Sequence, residues 1–241
     1  MAESPSPPRQ DGRGPHQLRP PLVAIGALLR ADGSARFALG QSVVLAAVYG
    51  PRDPKSRGRE VFDRATLEVI VRPRVGVPGP AERQLEGHLQ RQLDHVVMHE
   101  QYPRTQITVI LQVCSSDGSV AAVAGNAAFL ALLDAGVAMR ATALGVSIGV
   151  LIDSEVPEAP VSLLMDPTEA EERECAAVIT IGVDGGRGEL VSSISSGAAL
   201  DAVTWSNCVT AGTKACTVLE AFLRTSLQKR LEPFLRSSDP S

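Results

Sequence analysis

Apolar runs in the first half of the chain predict strands separated by tight turns. Residues 34–49, SARFALGQSVVLAAVY, form two such runs around the pair Gly40 and Gln41. The segments ATLEVIVRPR (residues 65–74) and TQITVILQVCSSD (residues 105–117) continue the pattern. We therefore expect the first half to build a sheet.

Two helices interrupt these strands. In the segment 81–100, apolar positions recur on one helical face, while Arg83 and Arg91 fall on the opposite, solvent-facing side. The segment AAVAGNAAFLALLDAG (residues 121–136) is rich in small residues and ends at Gly136, a residue typical of helix C-termini. A helix with so many small side chains packs closely against its neighbours.

The second half repeats the order of strands followed by a helix. Apolar runs predict strands at residues 143–152, 161–166, 175–183 and 189–195, and a long helix at residues 200–231. These elements indicate an α+β fold with two stacked sheet-and-helix halves that share one core. We assign residues 1–21 to a flexible N-terminal tail, 22–235 to one domain and 236–241 to a C-terminal tail.

Composition excludes several classes of protein. The net charge of −4 does not match a free-standing, strongly basic nucleic-acid binder, and 3% aromatic residues leave few platforms for stacking bases. The four cysteines are far apart, without CxxC spacing, so neither a disulfide framework nor a zinc site is expected. With no signal peptide and no long apolar run, we expect a soluble intracellular protein without membrane contact.

Four segments, in this order, resemble RNase PH-like proteins: ADGSARFALGQSVVLAAVYGP, ATLEVIVRP, ITVILQVCSSDGSVAAVAGNAAFLALLDAGVAMR and LLMDPTEAEE. The similarity spans residues 29–231, and within the family it is strongest to ring subunits of the eukaryotic RNA exosome core. The resemblance implies a six-membered ring with other RNase PH-like subunits, RNA-binding cap subunits and RNA as partners. It also implies a place in the nucleus, the nucleolus and the cytoplasm.

Phosphorolytic members of this family hold phosphate with a glycine-containing turn and an arginine at the start of the small-residue helix. Here Gly118 and Ser119 match the turn, but Val120 or Ala121 stands where the arginine is expected. Neither side chain binds phosphate. Gly118 and Ser119 are therefore interpreted as a vestigial phosphate loop.

Active members also carry two aspartates downstream of a strand ending in Leu-Asp. Counted from Asp166, these two positions fall on Ala170 and Ala176. Because two separate motifs are altered, the sequence predicts a non-catalytic subunit without a cofactor. The resemblance implies that such a subunit supports assembly and guides RNA for 3′-to-5′ processing and decay, including ribosomal RNA maturation and messenger RNA turnover.

Two groups of charged residues leave alternatives open. The first group either binds RNA phosphates or consists of ordinary solvated side chains. It comprises Arg72, Arg74, Arg83 and Arg91. The second group either holds a divalent ion, Mg²⁺ or Mn²⁺, or forms a solvated helix end. It comprises Asp166, Glu169, Glu171, Glu172 and Glu174. The second set supports the alternative of an active nuclease that is metal-dependent on RNA or DNA, as a homodimer outside the complex; a nuclease that is phosphorolytic on RNA despite Val120 and Ala121 is a further alternative.

Overall fold

The computed structural model describes residue 9 and residues 11–54, 60–152 and 161–236, with side chains to residue 229. The strands are β1 (Pro21–Ile25), β2 (Gly33–Leu39), β3 (Ser42–Arg52), β4 (Thr66–Arg72), β5 (Gln106–Ser115), β6 (Ala143–Leu151), β7 (Ser162–Met165), β8 (Ala177–Asp184) and β9 (Leu190–Gly197). The helices are α1 (Pro80–Val96), α2 (Val120–Asp134), α3 (Glu169–Glu174) and α4 (Ala202–Arg236), with a 3₁₀ turn at His99–Gln101. None of the described helices is long and apolar enough to cross a bilayer.

The strands form two sheets. The first has the order β1-β2-β3-β5-β4, in which only β4 and β5 are parallel, and the second has the antiparallel order β7-β6-β8-β9. β4 and β5 are parallel because α1 lies between them in sequence and returns the chain to the same edge.

Helix α2 lies between the two sheets and contacts both. Its small residues allow this close approach, and residues 122–132 are all buried. Asn126, fully buried, donates through Nδ2 to the carbonyl of Gly145 in β6 and accepts from the Gly145 amide through Oδ1. One continuous apolar core therefore joins both halves.

Helix α1 covers the free edge of β4. Glu86 accepts a hydrogen bond from the Val71 amide at 2.8 Å, and Gln90 donates to the Leu67 carbonyl at 3.1 Å. These side chains satisfy backbone groups that an edge strand otherwise leaves open.

The structure confirms the predicted α+β class, the two stacked halves and the long C-terminal helix. Gly136 has the left-handed φ of +68° expected directly after α2. Helix α1, however, ends at Val96 and not at residue 100. The reason is tertiary: Val97 is extended, with ψ of 137°, and bridges Met139, so it is buried beside the chain that follows α2.

Two arginines of the segment predicted as the N-terminal tail contact the second half of the chain. The side chains of Arg9 and Arg19 are buried, and each forms ion pairs with residues of the second half. The described residues 9 and 11–21 therefore belong to the fold. Helix α4 continues to Arg236, while residues 1–8, 10 and 237–241 of the predicted tails lie outside the described part.

Candidate functional site: a cleft at the start of helix α2

The turn of Gly118 and Ser119, which the sequence predicts to be a vestigial phosphate loop, opens onto a cleft of about 520 Å³ between α2, α3 and the second sheet. The cleft is lined by the first residues of α2 together with α1, β6, β8 and β9. Its polar lining consists of Gln84, Ser119, Ser147, Glu169, Glu172, Arg173, Thr180, Ser195 and Ser196.

The turn before α2 is held tightly against the second half of the chain. Gly118 has φ of +74°, and a Cβ atom at this position would lie 2.5 Å from the carbonyl oxygen of Pro167. Ser42 at the start of β3 donates from Oγ to the Gly118 carbonyl at 2.6 Å and accepts from the Asp117 amide. Only glycine fits the conformation and the space of this turn.

Ser119 directs its amide at a carboxylate of the protein itself. Its N–H donates to Oε1 of Glu172 at 2.6 Å, and its hydroxyl donates to the Pro167 carbonyl. An amide at a helix N-terminus is a natural donor to anions. Here Glu172 takes that position, so an incoming phosphate would meet a carboxylate.

Burial raises the pKa of Glu172, and the hydrogen bond from Ser119 and the charge of Arg19 oppose this shift without cancelling it. The carboxylate is therefore less stable in its charged form here than in water.

Among the described residues that line the cleft, Arg173 is the one cation, and the sequence did not single out its position. Arg173 in α3 lines the cleft, is 76% exposed, and forms an ion pair with Glu169 one turn earlier. Val120 and Ala121, where phosphorolytic relatives are expected to carry an arginine, also line the cleft. The guanidinium is thus supplied from a different element and is already paired.

Asp166 is not available to a ligand. It is fully buried at the end of β7 and accepts from Nε and Nη2 of Arg19. Arg19 also donates to the carbonyl of Asp117 at 2.6 Å. The pair therefore fastens the N-terminal segment to the loop before α2.

Glu171 has a structural role too. Arg9 donates to both of its carboxylate oxygens, at 2.8 and 2.7 Å, and Glu171 caps the first turn of α3 through the Thr168 amide. Burial raises the pKa of Glu171, but the hydrogen bonds and charge of Arg9 outweigh burial and lower it overall.

The alternative metal cluster is consequently not assembled. Asp166 and Glu171 bind arginines, Glu172 binds the Ser119 amide, and Glu169 pairs with Arg173, while Glu174 is exposed at the end of α3. Among the described side chains, no group of three or more His, Cys, Asp or Glu is arranged to hold a metal ion.

Comparison with known proteins agrees with this architecture. Residues 17–138 match the sequence model of the 3′ exoribonuclease family, domain 1 (RNase PH). The chain belongs to the RNase PH family. The exosome complex exonuclease RRP46 homolog of rice is 35% identical over 239 residues, which cover 92% of this chain and 96% of that protein.

Further likenesses show how the RNase PH similarity is distributed. The crystal structure of rice Rrp46 superimposes with a TM-score of 0.82 and 34% identity over 91% of this chain and all of that one. The exosome component Rrp41 of the archaeon Pyrobaculum neutrophilum is 38% identical over 157 residues, or 61% of this chain and 63% of that protein. The RNase PH-like chain is thus Rrp46-like over nearly its whole length.

The positions expected for the RNase PH acid pair lie outside the cleft. Ala170 is exposed on α3, and the amide of Ala176 donates to the Val150 carbonyl in β6. Neither residue lines the cleft or carries a titratable group.

The four arginines suggested for RNA are all exposed. Arg72 ends β4, Arg74 lies in the loop that follows, and Arg83 and Arg91 lie on the outer face of α1. None of them forms an ion pair with another described side chain, and Arg91 bonds only to the Gly87 carbonyl of its own helix. Their guanidinium groups are available to phosphates.

Sequence reasoning missed Arg9, Arg19 and Arg173. Arg9 and Arg19 lie in a segment without apolar periodicity, so no local pattern in the sequence indicated that they are buried. Arg173 follows Glu169 at the i,i+4 spacing of a helical ion pair, a signal that was present but pointed to a solvated helix surface.

Proposed function

We propose that this RNase PH-like chain is a non-catalytic subunit of the exosome ring. The proposal rests on the start of α2. There the Ser119 amide donates a hydrogen bond to Glu172, and Val120 and Ala121 stand in the same cleft where the phosphate arginine is expected. A dianion entering the cleft would lack a charge-assisted contact and would meet the half-buried carboxylate of Glu172. Ground-state phosphate binding, the first requirement of phosphorolysis, is therefore removed.

The proposed partners are the other RNase PH-like subunits of a six-membered ring and RNA-binding cap subunits. Support comes from the Rrp46 and Rrp41 relatives, whose names place them in exosome complexes. The proposed work of the assembly is 3′-to-5′ RNA processing and decay, with ribosomal RNA maturation and messenger RNA turnover among its tasks. The proposed locations are the nucleus, the nucleolus and the cytoplasm.

We assign a second task, RNA guidance, to the loop after β4. Arg72 at the end of β4 and Arg74 in the loop come directly before the exposed Val75 and Val77, and neither arginine forms an ion pair with a described side chain. Phosphate contacts of this kind position RNA without reading its sequence.

The deciding experiment measures single-stranded RNA degradation by the purified chain with phosphate, with Mg²⁺ and with EDTA. We expect no cleavage in any buffer, and we expect assembly of the ring in its presence but not in its absence. Phosphate-dependent release of nucleoside diphosphates, or a ring that forms and processes RNA normally without this chain, contradicts the proposal.

The RNA task has its own test in the assembled ring. Replacing Arg72 and Arg74 by alanine should weaken RNA binding. The slope of the logarithm of the binding constant against the logarithm of the salt concentration should become shallower by about 0.7 per lost phosphate contact, or about 1.4 for the pair. Arg30 and Arg36, both exposed in or before β2, provide a matched control with the same loss of charge. An equal effect of both double variants would mean that only net charge matters.

A second candidate, an active nuclease, rests on Arg173. Its side chain lines the cleft beside Ser119, from where it would bind phosphate if it left Glu169. The rice relative is itself named an exonuclease. This candidate requires that Arg173→Ala abolish a phosphate-dependent activity which Arg36→Ala leaves intact, in the monomer or in a homodimer.

A further inference from the structure

A second cavity, also of about 520 Å³, lies at the other end of α2. Helix α2 is roughly 22 Å long at 1.5 Å per residue, so this cavity is well separated from the cleft at the helix start. It is bordered by the chain after α2, the turn between β8 and β9, and the outer face of α4. Nothing in the proposed ring-subunit function uses it.

Three arginines converge on this cavity from three different elements. Arg140 follows α2, Arg187 lies in the β8–β9 turn, and Arg224 lies on α4. All three are exposed at the rim. Such an arrangement concentrates positive charge that the overall charge of −4 does not suggest.

Two of these charges have no partner among the described side chains. Arg224 is held by Glu220, which accepts from Nε and Nη2 at 3.0 and 2.6 Å. Arg140 and Arg187 form no ion pair with any described side chain. The lining carboxylate of Asp184 is buried and accepts from the Gly186 amide at 2.8 Å. The rim therefore keeps uncompensated positive charge.

The floor of the cavity is apolar. It is formed by Phe129 and Leu133 of α2 and by Val137 and Met139 directly after it. Leu133 is 41% exposed, whereas Phe129 and Val137 are almost covered. An apolar concave floor under a cationic rim suits an aliphatic side chain flanked by carboxylates.

We propose that this cavity, the Arg140–Arg187 pocket, binds an acidic peptide segment of a partner protein, with one aliphatic side chain seated on the floor. Charge complementarity selects the acidic partner, and the apolar floor selects a peptide over RNA. RNA would find phosphate contacts at the rim but no exposed aromatic face for a base, since Phe129 is only 5% exposed.

The test uses the full-length chain and a fluorescein-labelled peptide, Gly-Glu-Glu-Leu-Glu-Glu-Gly, titrated by fluorescence anisotropy. Two matched peptides carry Gln in place of Glu, or Ser in place of Leu. We expect binding of the first peptide and at least tenfold weaker binding of both others. Arg140→Ser with Arg187→Ser should also weaken binding at least tenfold, and Leu133→Ser should weaken it without a loss of charge.

The control is Arg30→Ser with Arg36→Ser, which removes the same charge away from the cavity and should leave binding unchanged. All these side chains are exposed, so thermal unfolding should be nearly unaltered. The proposal is overturned if the peptide does not bind, if both double variants behave alike, or if a peptide without leucine binds equally well. It is also overturned if an oligouridylate of equal charge binds this pocket more tightly than the peptide does. None of these outcomes bears on the RNA degradation assay, so the two proposals fail independently.

Discussion

Arg19 and Asp166 form a two-point ion pair in the interior, with Nε and Nη2 of the guanidinium 2.8 and 2.6 Å from the two carboxylate oxygens. Their side chains are only 5% and 1% exposed. The residues are 147 positions apart, so the pair joins the N-terminal segment to the second half of the chain. Removing Arg19 would leave the Asp166 carboxylate buried, with only the longer ion pair from Arg13 at 3.7 Å to compensate its charge.

We therefore expect Arg19→Met to lower the free energy of unfolding by about 3–5 kcal/mol, the usual result of breaking a buried ion pair. Urea denaturation followed by circular dichroism measures the change. Arg36→Met, at an exposed position of β2, should stay within about 0.5 kcal/mol of the parent protein. A loss below about 1 kcal/mol for Arg19→Met would show that the N-terminal segment is dispensable for stability.

Gly118→Ala and Gly136→Ala separate backbone strain from a steric clash. Both glycines have positive φ, +74° and +68°, so alanine at either position costs about 1–2 kcal/mol. At Gly136 nothing lies within 4 Å of the added Cβ, whereas at Gly118 it would approach the Pro167 carbonyl to 2.5 Å. We expect Gly118→Ala to cost about 1–3 kcal/mol more than Gly136→Ala in urea unfolding. Equal losses in the free energy of unfolding would mean that the loop before α2 shifts to accommodate the added Cβ atom.

The pKa of Glu172 gives a signature in the dependence of stability on pH. Because burial raises its folded pKa above the ordinary value of 4.5, the folded state binds the proton more tightly than the unfolded state. The stability from this group is fully present below pH 4.5 and is lost as the pH rises through the raised value.

Glu172→Gln keeps an oxygen for the Ser119 amide and removes the charge, so the variant should be more stable than the parent at pH 7 and equally stable near pH 4. Thermal unfolding at both pH values measures this. Greater stability of the parent at pH 7 would contradict the prediction. Glu174→Gln, at an exposed position of the same helix, is the matched control.

The four thiols should react at very different rates. Cys114 is exposed, whereas burial raises the pKa of Cys175 to about 11 and that of Cys216 to about 12, and it also raises the pKa of Cys208. Since the thiolate is the reactive form, only Cys114 should react rapidly with Ellman's reagent at pH 8. Cys114→Ser should remove the rapid phase, and unfolding in urea should expose the remaining thiols. A rapid phase that survives this substitution would show that one of the buried thiols is accessible.

Local patterns predicted most of the fold. The two runs around Gly40 and Gln41 became β2 and β3, and the apolar face predicted for residues 85–96 packs inward in α1. These features depend on periodicity and turn chemistry, which are written in neighbouring residues. The end of α1 was misjudged because Val97 is drawn into contact with Met139, more than forty positions away.

The site was harder to predict because its charged side chains bind partners that are distant in the sequence. Asp166, Glu171 and Glu172 read as one acidic run, yet each carboxylate meets a different partner: Arg19, Arg9 and the Ser119 amide. A charged residue is usually exposed, so burial of an arginine becomes apparent only once its distant partner is known. The missing phosphate arginine stays a prediction, which rests on Val120 and Ala121 in the sequence.

The contacts of Glu86 and Gln90 with β4 limit how this chain can meet its neighbours. A strand from another molecule that approached this edge would first have to displace two side chains already bonded to Val71 and Leu67. No further strand can therefore pair with β4 on this side of the first sheet while these contacts are in place. A neighbour on this flank must instead fit its side chains and loops against the outer surface of α1, where a mismatch of shape or charge can reject the wrong partner.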